Sequence, residues 1–255
     1  MSTTADHASS FTANRALQVT PWLMLASRLV LFLGLQVTAA AVLAATGSTR
    51  AWAESATWWP LHITIANALG VAWLMRLYRA EGQRYLEVFR LDRTQLGRDL
   101  LTVLGLVAIA APLSMLPNPL LATALFSDSQ AVVPLLFGPS PAWAMVPVLA
   151  VFALSQGLVE LPTYFAYATP RLERQGVPTW AAVGAGALML SLQHIAAPLW
   201  PEGRYLLWRG LMFLPFALFV GIVLRWRPRL LPYLAVVHAL MDLSLIALYF
   251  TVATG

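Results

Sequence analysis

The chain contains no cysteine and no lysine, and only 11% of its 255 residues are charged. The absence of cysteine excludes disulfides, thiolate metal ligands and a cysteine nucleophile. The absence of lysine makes all 16 basic residues arginine. The scarcity of charge excludes an ordinary soluble domain, in which about a quarter of the residues are charged. With 59% hydrophobic residues, the composition is that of a polytopic membrane protein. The net charge of +5 does not point to nucleic acid. Most arginines fall in loops between apolar runs, as orientation in a bilayer demands.

A spanning helix needs about 20 mostly apolar residues. Seven stretches meet that length, at about 21–46, 57–77, 100–118, 143–168, 180–199, 206–225 and 231–252. The expected fold is therefore all-α, a membrane helical bundle of about seven transmembrane helices. An eighth is added if part of the proline-rich stretch 119–142 inserts rather than lying along the interface. The run from Pro21 to Thr46 exceeds the 7–15 apolar residues of a signal peptide and suits a span. Residues 1–20 read as a disordered polar tail, and 21–255 as one transmembrane domain. Arg28 and Arg209 sit near span ends, where long side chains snorkel to the interface.

The loops give orientation. On one side lie Arg76, Arg79, Arg84, Arg90, Arg93, Arg98, Arg171, Arg174, Arg225, Arg227 and Arg229, and on the other only Arg50 and Arg204. This asymmetry predicts a cytoplasmic N-terminus and a location in a cell membrane, with a bacterial cytoplasmic membrane as the expected setting. The loop 79–99 interleaves both charge signs with Tyr85, Leu86, Phe89 and Leu91, and reads as an amphipathic helix on the membrane surface.

Inside the apolar stretches only two carboxylates occur, Glu160 and Asp242. Ionisable groups in hydrocarbon cost several kcal/mol, so they mark function and need partners. His238 and Asp242 are four residues apart, on one helix face. Glu160 follows Gln156 by four and precedes Pro162 by two. A proline inside a helix removes one backbone hydrogen bond and opens the helix at the carbonyl four residues back. His194 lies near the end of the fifth stretch. His62, without an acidic partner in its own span, reads as structural.

These segments resemble, in order and spacing, the CPBP family of membrane-embedded CAAX prenyl proteases and bacteriocin-processing (Abi-like) proteins. The likeness covers about 152–245, within a CPBP-like core at 143–252. That family carries a Glu-Glu pair followed after three residues by Arg, then Phe-x-x-x-His, then His-x-x-x-Asn or His-x-x-x-Asp. LSLQH, ending at His194, matches the second motif with Leu190 for Phe. LPYLAVVHALMD matches the third, with His238 and Asp242 in the motif positions. In the first motif the glutamate pair becomes Val159-Glu160, and the arginine position becomes Tyr164. A one-residue step turns a helix by about 100°, so Glu160 reaches the histidines only if the Pro162 distortion rotates it.

The resemblance implies an intramembrane endopeptidase whose catalytic residues are Glu160, His194, His238 and Asp242. Glu160 would be the general base. His194, His238 and Asp242 would hold Zn2+ or another divalent metal, or polarise the scissile carbonyl without one. The partners implied are membrane lipid and a membrane-associated peptide or protein substrate. Two alternatives compete: an inactive member of the same fold with an immunity, scaffold or regulatory role, and a small transporter. Counted from the inner surface, His194 stands about 22 Å up and Glu160 about 10 Å at 1.5 Å per residue. They meet only if the fourth helix projects inward and the fifth starts near Val183.

Overall fold

The computed structural model describes residues 19–138 and 140–250 in full, with helical backbone continuing out to Thr3 and Ala253. Of the tail expected over 1–20, residues 1 and 2 fall outside the described residues, and helical backbone runs from Thr3 onward. All regular structure among the described residues is helical. In chain order the α-helices are α1 (Thr3–Ala45), α2 (Ala51–Thr57), α3 (Trp59–Ala80), α4 (Leu96–Met115), α5 (Pro117–Phe126) and α6 (Val133–Leu136). They continue with α7 (Ala142–Gln156), α8 (Thr169–Arg174), α9 (Thr179–Leu192), α10 (Gly203–Leu211), α11 (Leu214–Trp226) and α12 (Leu231–Ala253).

Four stretches are long and apolar enough to cross a membrane: Val19–Ala45, Leu96–Phe126, Gly203–Trp226 and Pro228–Phe250. Leu96–Phe126 is only 17% buried in its most apolar window, whereas Gly203–Trp226 is 50% buried. The first therefore stands at the edge of the bundle and the second near its centre. Leu101, Leu104, Leu120, Trp143 and Trp180 are all exposed. Apolar surface on that scale is unfavourable in water and matches a hydrocarbon solvent.

The loop 79–99 is not the amphipathic helix expected. Gly82, at φ +72°, reverses the chain after α3, a left-handed conformation that glycine adopts at no steric cost. The N–H of Gln83 then closes on the Tyr78 carbonyl at 2.8 Å. A single 3₁₀ turn, Tyr85–Phe89, follows. Asp92 accepts from the Thr94 N–H at 3.0 Å and its hydroxyl at 2.6 Å. The Thr94 hydroxyl, with the backbone N–H beside it, holds the Asp92 carboxyl below the usual carboxylate range. Local side-chain bonds of this kind compete with helix, and this pair lies just before α4 begins.

The expected span 143–168 is also not one helix. Helix α7 stops at Gln156, Gly157–Val159 form a turn, and Pro162–Ala168 wind as a π-helix that runs on into α8. Pro162 has no N–H to offer the carbonyl of Leu158. That carbonyl is taken instead by the hydroxyl of Tyr85, 73 positions earlier in sequence. Gly157 permits the other side of the break: a Cβ there would lie 2.5 Å from the Ala235 carbonyl oxygen of α12. Gly157→Ala is therefore expected to push α12 off α7 and cost about 1–3 kcal/mol, the range for an overpacked core. A lowered thermal midpoint of the detergent-solubilised protein measures it, and an unchanged midpoint contradicts it.

The turn places successive residues in different surroundings. Val159 enters an apolar cluster with Met24, Leu74 and Tyr78. Leu161 and Tyr164 enter a second cluster built on α9, α11 and α12. Between them, Glu160 points into a polar centre.

Candidate functional site

Glu160 is fully buried, and each of its oxygens has a close polar neighbour. Oε2 accepts from Gln156 Nε2 at 2.6 Å and from Gln193 Nε2 at 2.7 Å. It also lies 3.5 Å from Arg28 Nη2. Oε1 lies 3.1 Å from His238 Nε2, and that same nitrogen lies 3.5 Å from Asp242 Oδ2. The 100° displacement anticipated for Glu160 does not keep it from His238. The break at Gly157–Val159 resets the helix phase, and Val159 takes the apolar direction instead.

Arg28 does not snorkel. Its side chain is 2% exposed and donates in three directions. Nε reaches Gln193 Oε1 at 2.6 Å, Nη1 reaches Asn67 Oδ1 at 2.9 Å, and Nη2 reaches Gln156 Oε1 at 2.8 Å. Asn67 passes the network on to Ser155 Oγ at 2.8 Å, and Tyr164 donates to Gln193 Oε1 at 3.1 Å. A buried charge is tolerated only when paired and hydrogen-bonded, and here the guanidinium and the carboxylate meet that condition together. Arg209 is likewise buried rather than snorkelling, bonded to the carbonyls of His194 and Ala197.

The structure brings together three of the four expected residues, Glu160, His238 and Asp242. It orients His194 differently. His194 Nδ1 faces the carbonyls of Leu190 at 2.9 Å and Ser191 at 3.3 Å, and its ring packs 4.1 Å from that of Phe213. Its neighbour Gln193, on the 3₁₀ turn Gln193–Ala196, is the residue that reaches Glu160. Heights match without the late helix start anticipated at Val183, for α9 begins at Thr179. Glu160 stands fourteen residues before the end of α8 and Gln193 fourteen after the start of α9, and the two meet at 2.7 Å.

Exposure increases along the polar line. The side chain of Glu160 is sealed, that of His238 is 10% exposed and that of Asp242 19%. His238 lies flat against Phe216, at 6.2 Å between ring centres and 15° between planes. Glu160 Oε1, both His238 nitrogens and Asp242 Oδ2 are buried without an aligned hydrogen bond, despite their close approach. Buried polar atoms are almost always satisfied, so four together mark a place built for something besides packing.

Among the described residues no group of three His, Asp or Glu side chains is arranged to hold a metal ion. His194 is turned to its own helix, and Glu160 Oε2 already faces a guanidinium. The expected His194, His238 and Asp242 are therefore not assembled as one metal site among the described residues.

Sequence reasoning missed Arg28, Asn67 and Gln193. A guanidinium within an apolar run was their one available signal. It also missed Asp99, a buried carboxylate at the start of α4 that Arg229 approaches to 2.9 Å. His62 is buried in α3, with no bond to this network. No family model, no curated protein and no solved structure matches the chain.

Proposed function

We propose that this chain is an intramembrane endopeptidase with a CPBP-like core, in which Glu160 is the base and His238 the proton carrier. The observation that carries this reading is the 3.1 Å approach of Glu160 Oε1 to His238 Nε2 beside a helix break. In the reaction, Oε1 takes a proton from water, and the resulting hydroxide oxygen bonds to the scissile carbonyl carbon. The carbon–nitrogen bond then breaks, and the proton held on Oε1 passes through His238 Nε2 to the leaving amine. Such proton transfers contribute about 10²–10⁴-fold each. Asp242 positions the imidazole from the more exposed side. Arg28, Gln156 and Gln193 hold Oε2, which leaves Oε1 as the atom facing the reaction. His194, with Nδ1 committed to backbone, keeps Nε2 for the substrate carbonyl. The substrate is a membrane-embedded or membrane-associated peptide, because the site lies within the bundle.

The same reading gives the chain seven spans and a cytoplasmic N-terminus, supported by the one-sided arginine distribution. A second reading, a non-proteolytic protein on this architecture, is favoured by the hold that Arg28 and two amides keep on Glu160. The two separate on one experiment. The protein reconstituted in vesicles is expected to cleave transmembrane peptides, to lose cleavage in His238→Ala and to retain it in His62→Asn. A folded wild-type protein that cleaves none of a broad peptide set, or His238→Ala at full rate, overturns the enzyme reading.

A further inference from the structure

At the end of α3 the reversal at Gly82 and the turn Tyr85–Phe89 enclose an open cleft of about 830 Å³. Arg79, Arg84 and Arg90 line it, together with Tyr85 and, at its rim, Met75 and Leu86. Glu87 is the one acid in the lining, so the side chains that face the cleft sum to a net positive charge.

Three other arginines at this end of the bundle are paired. Arg171 bonds Glu81, Arg225 lies 2.7 Å from Glu173, and Arg229 lies 2.9 Å from Asp99. Among the described residues Arg79, Arg84 and Arg90 form no ion pair and no side-chain hydrogen bond. Three guanidinium groups around one cleft, unneutralised and separated by a tight turn, make a site for a phosphate-type anion. Their planar forks match its oxygens in pairs. The rim supplies the second half of the match. Leu86 is 65% exposed and Met75 41%, so apolar surface adjoins the cationic cleft where the helix leaves the bundle.

We infer that this cleft binds the phosphate headgroup of an anionic phospholipid, with Leu86 and Met75 against the first part of its acyl chains. Tyr85 connects the cleft to the centre of the molecule. Its ring is buried in the cleft floor, and its hydroxyl holds the Leu158 carbonyl freed by Pro162, two residues from Glu160. A lipid seated against the turn therefore steadies the loop that closes the helix break.

Thermal unfolding of the full chain in a neutral detergent tests this, with phosphatidylglycerol, phosphatidylcholine or inorganic phosphate added separately. A ligand that binds only the folded state raises the midpoint with its concentration. Phosphatidylglycerol is expected to raise it, and phosphatidylcholine and inorganic phosphate to leave it unchanged. The Arg79→Gln, Arg84→Gln, Arg90→Gln triple variant should bind phosphatidylglycerol at least tenfold more weakly, while Arg204→Gln should match the wild type. An undiminished gain in the triple variant, or an equal gain with phosphatidylcholine, overturns the inference. A full gain with inorganic phosphate alone overturns the lipid as its source. Native mass spectrometry of the wild type and the three single variants reads the same preference if the triple variant fails to fold. Equal retention of the two lipids by the wild type refutes the site.

Discussion

Arg28→Ala is expected to destabilise the folded chain by about 3–5 kcal/mol, the cost of leaving one member of a buried ion pair uncompensated. The substitution removes three donated hydrogen bonds, to Gln193, Asn67 and Gln156. It also leaves Glu160 sealed without its guanidinium, with His238 as the one remaining partner of opposite potential charge. Arg28→Lys is expected to recover little, because one ammonium on a flexible stem cannot reach acceptors on three separate elements. The Arg28→Leu, Glu160→Leu double variant should be less destabilised than Arg28→Leu alone, since it removes both buried charges together. Unfolding of the purified protein in a denaturing detergent measures all four. Additive losses in the double variant would falsify the coupling.

Glu160→Gln separates chemistry from folding. A glutamine side chain can still accept from Gln156 and Gln193, whose amides now bond Oε2 at 2.6 and 2.7 Å. Arg28 keeps its three carbonyl acceptors. The variant should therefore fold, with a modest loss of stability, and lose about 10²–10⁴-fold in cleavage rate as its base disappears. Wild-type cleavage by a folded Glu160→Gln protein removes Glu160 from the reaction and leaves it as the anchor of Arg28. Loss of folding together with loss of cleavage gives Glu160 the same structural weight as Arg28.

The sequence discloses as much of this site as local chemistry can encode. A carboxylate or an imidazole in an apolar run is conspicuous, so Glu160, His238 and Asp242 could be identified, and the four-residue spacing of the last two fixes their common face. Direction and depth are tertiary properties. Gln193 and His194 differ by about 120° around the axis of their 3₁₀ turn, and only the packing of α9 against the segment Pro162–Ala168 decides which turns inward. Arg28 resembles any arginine close to a span end until its acceptors converge from residues 39, 128 and 165 positions away. The all-helical class follows from composition. The interruption at Gly157–Val159 depends on a glycine pressed against a carbonyl of another helix, and no helical periodicity encodes that contact.

The arrangement around Arg28 also constrains how the protein is made. Its acceptors stand on α3, at the end of α7 and on the turn after α9, so the last of them, Gln193, is synthesised long after α1 has left the ribosome. Until Gln156 follows, a guanidinium near the middle of α1 has no intramolecular acceptor among these beyond Asn67. An arginine at the centre of a lone helix costs about 2.5–3.5 kcal/mol during insertion. Helix α1 is therefore expected to insert less readily than its apolar length alone implies. It reaches its final depth only when the hairpin containing Glu160 and Gln193 arrives. Helix α1, made before its acceptors, is then expected to be among the last of these helices to settle.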